Sequence, residues 1–346
     1  MSATKNFGYA AKALGHICEP FTFDTPELGD HEVRVSITHC GVCHTDIQAI
    51  DDYYGITTFP FVPGHEIVGS VVEAGPAVSG VKPGDRVGIG WQGRSCGKCE
   101  WCVQGETQLC MEIQNTTVMV PYGGFSTSVI ADYRFVYPLP PSMPSPVAAV
   151  LMCAGVTVYA ALQRHVARPG LQVGILGVGG LGHLAIQFAH TSGCEVTAIS
   201  SSPAKREQAF EFGADHFVDS NDEAGMDRLV YAFDLLLCTA NNGIKWVQAM
   251  RALKKRGKFI LAGFPDIVMN STDLVAHEIS MTGSLIGNPA LMRAMLSFAQ
   301  EHEITPLVEL MPMSRVNEAI QRVKENKARY RIVLENDLEG SGIQTG

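Results

Sequence analysis

The turn Gly177-Val178-Gly179-Gly180-Leu181-Gly182 constrains this chain more than any other segment. It follows the strand-like run LQVGILG and opens the helix-like run GLGHLAIQFAHTSG, so it satisfies G-x-G-x-x-G between a strand and a helix. In that setting Gly177 permits a tight turn, Gly179 lets the backbone approach a pyrophosphate, and Gly182 lets helix and strand pack closely. Gly180 and Leu181 complete a loop whose helix-start N–H groups face the anion. The alternation continues through strand-like EVTAIS, helix-like PAKREQAFEFG, strand-like DLLLC, helix-like IKWVQAMRAL and strand-like GKFILAG. Such alternation predicts a doubly wound parallel sheet, an α/β unit.

The preceding segment obeys a different rule. In HEVRVSITHC, apolar Val33, Val35 and Ile37 alternate with Arg34 and Ser36, the period of a half-buried strand. EIVGSVVEAG and DRVGIG are short, rich in β-branched residues and separated by turns such as VKPGD, so residues 1–150 read as a mostly β, barrel-like unit. The grammar changes after PLPPSMPSP. Beyond the parallel sheet, LMRAMLSFAQEH and SRVNEAIQRVKEN read as helices and RYRIVLEN as a strand, a return to the first unit more than a third domain. A length of 346 residues supports two cores. The tail EGSGIQTG is Gly/Ser-rich and expected to be mobile.

Twenty-six Lys plus Arg against 35 Asp plus Glu leave a formal charge of −9, which favours no nucleic-acid partner. The N-terminus has no apolar stretch flanked by basic residues, and no window holds ~18 uninterrupted apolar residues. Neither secretion nor membrane insertion is expected, and a cytoplasmic protein acting on small molecules is. A homodimer is the one assembly left open.

Ten cysteines in a long chain of this kind suit metal-bound thiolates better than disulfides. Cys96, Cys99, Cys102 and Cys110 read C-x-x-C-x-x-C-x7-C, a spacing that lets one short loop wrap a tetrahedral metal, so a closed structural zinc site is predicted.

The second strand of the parallel sheet decides between dinucleotides. An NAD site would place an acid there, ~20 residues after the motif begins, to hold the ribose 2′-hydroxyl. Here stand Ser200, Ser201 and Ser202, with Lys205 and Arg206 just beyond. Small hydroxyls and cations suit a 2′-phosphate, which predicts NADP(H).

The string Cys40-Gly41-Val42-Cys43-His44-Thr45-Asp46, then Gly64-His65-Glu66, resembles the zinc-dependent medium-chain alcohol dehydrogenases. The resemblance extends over essentially the whole chain, through the four-cysteine lobe, Cys153 in LMCAGVT, the glycine turn and YRIVL. The serine-rich strand end is similar to the cinnamyl-alcohol-dehydrogenase-like branch of NADP-dependent aldehyde reductases. The resemblance implies a GroES-like, zinc-binding catalytic domain of residues 1–154 and 289–346, and a Rossmann domain of residues 155–288. It implies two zinc ions per chain and hydride transfer between NADP(H) and a primary alcohol or aldehyde, apolar or aromatic and broad in range.

Residue by residue, the resemblance makes Cys43, His65 and Cys153 ligands of a catalytic zinc whose fourth position is open to water or substrate. Asp46 would orient His65, Glu66 would be an outer or transient ligand, and Thr45 would contact the reacting oxygen. Thr157, His44 and Arg331 would be cofactor contacts, the last two near the pyrophosphate. Trp91 stands where some relatives have a pocket wall; a core tryptophan is the competing reading. Cys40, Cys18, Cys194 and Cys238 are expected to be small buried side chains.

One position departs from the pattern. The histidine that ends the family's proton relay from Thr45 is here Gln48, whose amide is neither acid nor base near neutral pH. Water or His44 could replace it. Two other readings compete: a polyol dehydrogenase, which would want an acid where Ser200 stands, and a non-catalytic cofactor-binding relative, which would not need every zinc ligand.

Overall fold

The structure, a computed structural model, describes residues 4–117, 122–165 and 168–338; the tail expected to be mobile lies outside them. The chain divides into two compact units: Met1–Cys153 with Asn288–Gln300 and Pro306–Gly346, and Ala154–Gly287 with Glu301–Thr305.

The first unit is β-rich. A hairpin joins β1 (Thr4–Ala11) to β2 (Cys18–Thr25), and the main sheet begins with β3 (Glu32–Val42), β4 (Glu66–Ala74) and β5 (Arg86–Ile89). Short β6 (Gln92–Arg94) and β7 (Gln114–Asn115) pair with each other beside the cysteine lobe, and β8 (Ser128–Asp132) and β9 (Val136–Pro138) return to the main sheet. The period-2 pattern of β3 holds: Val33, Val35 and Ile37 are fully buried, while Arg34 and Ser36 are half-exposed. Their buried faces join Val71, Val87, Ile89 and Phe125 in one apolar cluster.

The second unit is the parallel sheet: β10 (Gln172–Leu176), β11 (Glu195–Ser200), β12 (His216–Asp219), β13 (Phe233–Cys238), β14 (Leu253–Leu261) and β15 (Ser280–Gly283). Its order is β12-β11-β10-β13-β14-β15, every neighbouring pair parallel. The order reverses at β10, where an open sheet of this kind binds its ligand at the strand's carboxyl end. The central strand β13 is apolar nearly throughout and largely buried, as a strand covered on both faces must be.

After the helix Pro289–Glu301, β16 (Val308–Pro312) and β17 (Arg331–Glu335) complete the first unit's seven-stranded sheet. Its order is β16-β17-β3-β4-β5-β9, with β8 also on β3. The expected return of the C-terminal segment is therefore an insertion of β17 beside β3, antiparallel.

One stretch was not legible as an element. Ser145–Arg164 is continuously helical and apolar enough in length and composition to cross a membrane, but 83% of its most apolar window is buried inside the protein. A helix apolar all round gives no amphipathic period to read. Within it Leu151–Gly155 widens into a π-turn, a feature frequent at functional sites.

Candidate active site

Three adjacent strands deliver the catalytic residues. In the register of β3 with β4, Gly41 faces Glu66; in that of β17 with β3, Ile332 faces Val42. Cys43 leaves the end of β3, His65 and Glu66 enter β4, and Arg331 opens β17, so all four lie at one end of the sheet. The π-turn contributes Cys153 from the other side of the sequence. The metal-binding atoms of Cys43, His65, Glu66 and Cys153 lie within 4.8 Å of one another, and His65 Nε2 is 3.2 Å from Cys153 Sγ.

Those separations fit a tetrahedral ion. Zinc bonds of ~2.0 Å to nitrogen and ~2.3 Å to sulfur set ligand–ligand edges near ~3.5–3.8 Å. Two thiolates and one neutral imidazole would neutralise the formal charge of such an ion, and three protein ligands would leave a coordination position free for an oxygen.

Asp46 orders this cluster. It is fully buried, and Oδ1 accepts from His65 Nδ1 at 2.8 Å, the Gly64 N–H at 3.0 Å and Thr117 Oγ at 2.9 Å, while Oδ2 accepts the Cys43 N–H at 3.0 Å. The bond to Nδ1 fixes the tautomer and turns Nε2 toward the metal position. Burial pulls the His65 imidazole down, but the charge and hydrogen bond of Asp46, with Cys43, outweigh it and hold His65 well above its ordinary value. Hydrogen bonding from Cys153 lowers the Cys43 thiol well below its usual range, so the pair gives up its first proton early. Thr117 had no signal in the sequence, and Gly64 was legible only as part of Gly64-His65-Glu66, because their bonds to Asp46 exist only once distant segments meet.

Glu66 and Arg331 form a buried ion pair beside the ligands. Burial pushes Glu66 up to about 7 against the opposing charge of Arg331. Glu66 Oε2 and Arg331 Nε have no hydrogen-bond partner, leaving one acceptor and one donor for groups that arrive later. Arg331 is only 7% exposed, which removes the reading of a surface arginine. Gly41 makes this arrangement possible, since a Cβ there would collide with the Glu66 side chain.

Thr45, Gln48 and exposed His44 lie on the short helix His44–Ile50 that Cys43 caps. Thr45 Oγ is 3.7 Å from Cys43 Sγ. Tyr54, which the sequence did not single out, donates its hydroxyl to Gln48 Oε1 at 2.8 Å, and burial pushes its phenol up to about 12. Trp91 is half-buried, not a core side chain. Cys40 is fully buried, its thiol raised well above the usual value by desolvation, and it stands outside the ligand cluster.

The second ligand set is local. The sulfurs of Cys96, Cys99, Cys102 and Cys110 lie within 4.8 Å of one another, Cys96 Sγ and Cys102 Sγ at 3.9 Å. Backbone N–H groups of Cys99 and Cys96 reach Cys96 Sγ and Cys110 Sγ at 3.3 and 3.4 Å. This is a closed four-thiolate arrangement with no position to spare.

In the parallel-sheet unit the glycine turn is built as its spacing requires. Gly177 has φ +99°. A Cβ on Gly182 would strike the Gly177 carbonyl, whereas one on Gly179 would meet nothing within 4 Å, so space is left open beside Gly179 where the helix Gly182–Thr191 begins. An anion fits such a cradle. At the end of β11, Ser200 is buried and its Oγ accepts the Ser202 N–H at 3.2 Å; Ser201 is exposed. Lys205 Nζ donates to the Val178 carbonyl at 2.7 Å, which carries its cation to the turn, and burial lowers its pKa. Arg206 lies over the Phe217 ring at 5.0 Å. Thr157 is buried in the helix Val156–Arg164.

Comparison with known proteins agrees with both units. The alcohol dehydrogenase GroES-like domain family matches residues 29–141, and the zinc-binding dehydrogenase family matches residues 180–301. An aldehyde reductase of Synechocystis sp. is 37% identical over 328 residues, covering 94% of this chain and 97% of its own. Cinnamyl alcohol dehydrogenase 8 of Arabidopsis thaliana is 34% identical over 95% of this chain and 94% of its own. Among solved structures, a cinnamyl alcohol dehydrogenase from Sorghum bicolor superposes with a TM-score of 0.92 at 36% identity, covering 96% of this chain and 98% of that one. A Helicobacter pylori counterpart, complexed with NADP(H), gives 0.89 at 26% identity, with 96% and 99% covered. The ligand clusters, the glycine turn and these matches together establish that the chain belongs to the zinc-dependent medium-chain alcohol dehydrogenases, in their cinnamyl-alcohol-dehydrogenase-like branch.

Proposed function

We propose that this protein is an NADP(H)-dependent aldehyde reductase and primary alcohol dehydrogenase with two zinc ions per chain, acting on apolar or aromatic substrates. The observation that carries the reading is the Cys43, His65 and Cys153 cluster: three ligands, one open position, and a buried Asp46 that fixes the imidazole. When bound there, zinc acidifies an alcohol and polarises a carbonyl, and a nicotinamide cofactor exchanges hydride with the substrate carbon.

The chain's own residues do the rest. Asp46 keeps His65 aimed and its proton on Nδ1. Arg331 balances Glu66, so a carboxylate can stand beside two thiolates without repelling them, and Glu66 Oε2 is close enough to serve as a transient ligand. Thr45, whose Oγ lies 3.7 Å from Cys43 Sγ, would exchange a proton with the substrate oxygen. Gly177, Gly179 and Gly182 would cradle the pyrophosphate; within the first unit, His44 and Arg331 are proposed as cofactor contacts and half-buried Trp91 as a wall of the substrate pocket.

NADP(H) is supported by Ser200 at the end of β11 with Ser201 and Ser202 just beyond, by Lys205 on the turn carbonyl and by the absence of an acid from Ser200 to Lys205. Kinetics with both dinucleotides and a panel of aldehydes and alcohols tests this, and equal kcat/KM with NADPH and NADH would count against it. Ser200→Asp should swing the NADP(H)/NAD(H) ratio of kcat/KM by ~10–100-fold toward NAD(H), the effect of ~1.4–3 kcal/mol of like-charge repulsion. Elemental analysis of protein purified without chelator should find two zinc ions.

A homodimer is the assembly this reading favours. The edge strand β15 has no outer neighbour among the described residues, and the segment leading to it exposes Ile267, Val268 and Val275. An unpaired edge with apolar flanks is a template for a second copy. Sedimentation or light scattering of the purified protein decides it.

A further inference from the structure

Gln48 leaves the substrate proton without an obvious acceptor beyond Thr45, yet the fold brings another hydroxyl to the same place. Thr45 and Gln48 are three residues apart on the helix His44–Ile50 and so share a face. The chain then folds back over that helix. The Tyr53 N–H donates to the Gln48 carbonyl at 2.8 Å, Thr57 Oγ donates to the Ala49 carbonyl at 3.0 Å, and Asp52 Oδ1 accepts the Thr57 N–H at 2.9 Å. This stapled turn sets Tyr54 against both side chains: its hydroxyl donates to Gln48 Oε1 at 2.8 Å, and the Thr45 side chain stands within hydrogen-bonding reach of it. Tyr54 is half-exposed, so solvent reaches the residue.

The chemistry of the three groups differs. A side-chain amide accepts at its oxygen and donates at its nitrogen but is neither acid nor base near neutral pH, so Gln48 can anchor a hydrogen bond and cannot pass a proton on. A phenolic hydroxyl accepts and donates at once, so a proton can enter on one side as another leaves. We propose that Tyr54 is the proton-passing partner of Thr45 in alcohol oxidation, and that Gln48 is the acceptor that holds its hydroxyl in place.

The proposal rests on the alcohol and aldehyde reading above. In oxidation the substrate O–H bond breaks and its proton joins Thr45 Oγ, while the substrate carbon gives its hydride to an oxidised nicotinamide dinucleotide. The original Thr45 proton moves to Tyr54 Oη, and the original Tyr54 proton turns from Gln48 Oε1 to solvent and leaves for water. Each hydroxyl gains one proton as it loses one, so neither changes charge; two electrons leave with the hydride, and one proton reaches solvent. Aldehyde reduction runs the same steps backward. Tyr54 acts through Thr45 and is a positioning residue.

The test uses the zinc-loaded enzyme with benzyl alcohol and NADP+. Tyr54→Phe keeps the ring and removes only the hydroxyl. It should lower kcat for oxidation ~10-fold at neutral pH with substrate KM within twofold, a part of the ~10²–10⁴-fold that positioned proton transfer supplies, and the deficit should shrink toward alkaline pH. Adding Gln48→His to that variant supplies a base of pKa ~6.5 and should restore most of the loss. In substrate-free enzyme labelled at tyrosine Cζ, Thr45→Val and Gln48→Ala should each shift the carbon resonance that Tyr54→Phe deletes. Unchanged kcat in Tyr54→Phe, a change in KM alone, or a Tyr54 resonance indifferent to both neighbours overturns the proposal while the alcohol dehydrogenase reading stands. Absence of turnover by the unmodified protein with either dinucleotide and any alcohol or aldehyde overturns that reading and the proposal with it.

Discussion

The two cysteine-rich clusters would hold the same kind of ion by opposite means. Cys96, Cys99, Cys102 and Cys110 come from one loop between β6 and β7, and three of them are half-exposed. Their sulfurs are supported by the loop's own backbone: N–H groups of Lys98 and Cys99 lower Cys96 to about 6, while burial lifts Cys110 to about 11. Cys43, His65 and Cys153 come from three segments and are supported by side chains, above all by fully buried Asp46. A loop that closes on itself satisfies every ligand and leaves nothing for a substrate. A site assembled across a sheet can leave one position open, but it depends on each strand keeping its register.

The sharpest way to break this contrast is a pair of cysteine variants. Cys43→Ala should lower turnover by ~10³-fold or more, since several kcal/mol of metal-assisted stabilisation disappear, with the thermal transition little changed. Cys99→Ala should leave turnover of the folded fraction within a few fold but lower Tm by roughly 5–10 °C, the shift of ~2–3 kcal/mol in a domain of this size. If calorimetry and kinetics gave the two variants the same profile, the division into catalytic and structural centres would be wrong.

Removing the orienting carboxylate probes the same difference one layer out. Asp46→Asn keeps the size of the side chain but loses its charge, and zinc affinity at the catalytic centre should fall ~10–100-fold, as removal of such partners typically does. Competition with a chromophoric chelator reports it; the four-cysteine lobe, which has no carboxylate among its ligands, should keep its zinc in the same titration.

The smallest effect tests register. Gly41→Ala forces a methyl group against Glu66 and should cost ~1–3 kcal/mol in stability, the usual range for overpacking, together with a loss of activity through the displaced carboxylate. Gly105, in the lobe, has nothing within 4 Å of its missing Cβ and a φ of +81°, so Gly105→Ala should cost only the backbone strain and leave kcat alone. Equal effects on kcat would show that the catalytic centre tolerates displacement as readily as the lobe.

Much of this was legible in the residues. The alternation of Val33, Val35 and Ile37, the glycine turn and the four-cysteine spacing each encode their structure within a window of a few residues, where periodicity and steric demand act directly. The helix Ser145–Arg164 was not, because burial on all sides erases the period, and with it went the π-turn that presents Cys153. Arg206 adds a contact of the same kind: its packing over the Phe217 ring at 5.0 Å could not be read from its position beside Lys205.

The sequence by itself determined the parallel sheet and the four-cysteine lobe, which rest on local spacing and residue chemistry, and the family, which rests on motifs spread along the chain. Tertiary structure alone decided that Asp46 gathers Cys43, Gly64, His65 and Thr117, that Arg331 neutralises Glu66, and that Tyr54 meets Thr45 and Gln48. Most of those contacts join segments far apart in the chain, and even Tyr54 needs a turn stapled through Thr57. Strand register and chain reversal bring such atoms to within ~3 Å, and hydrogen bonds and buried charges act only at that range.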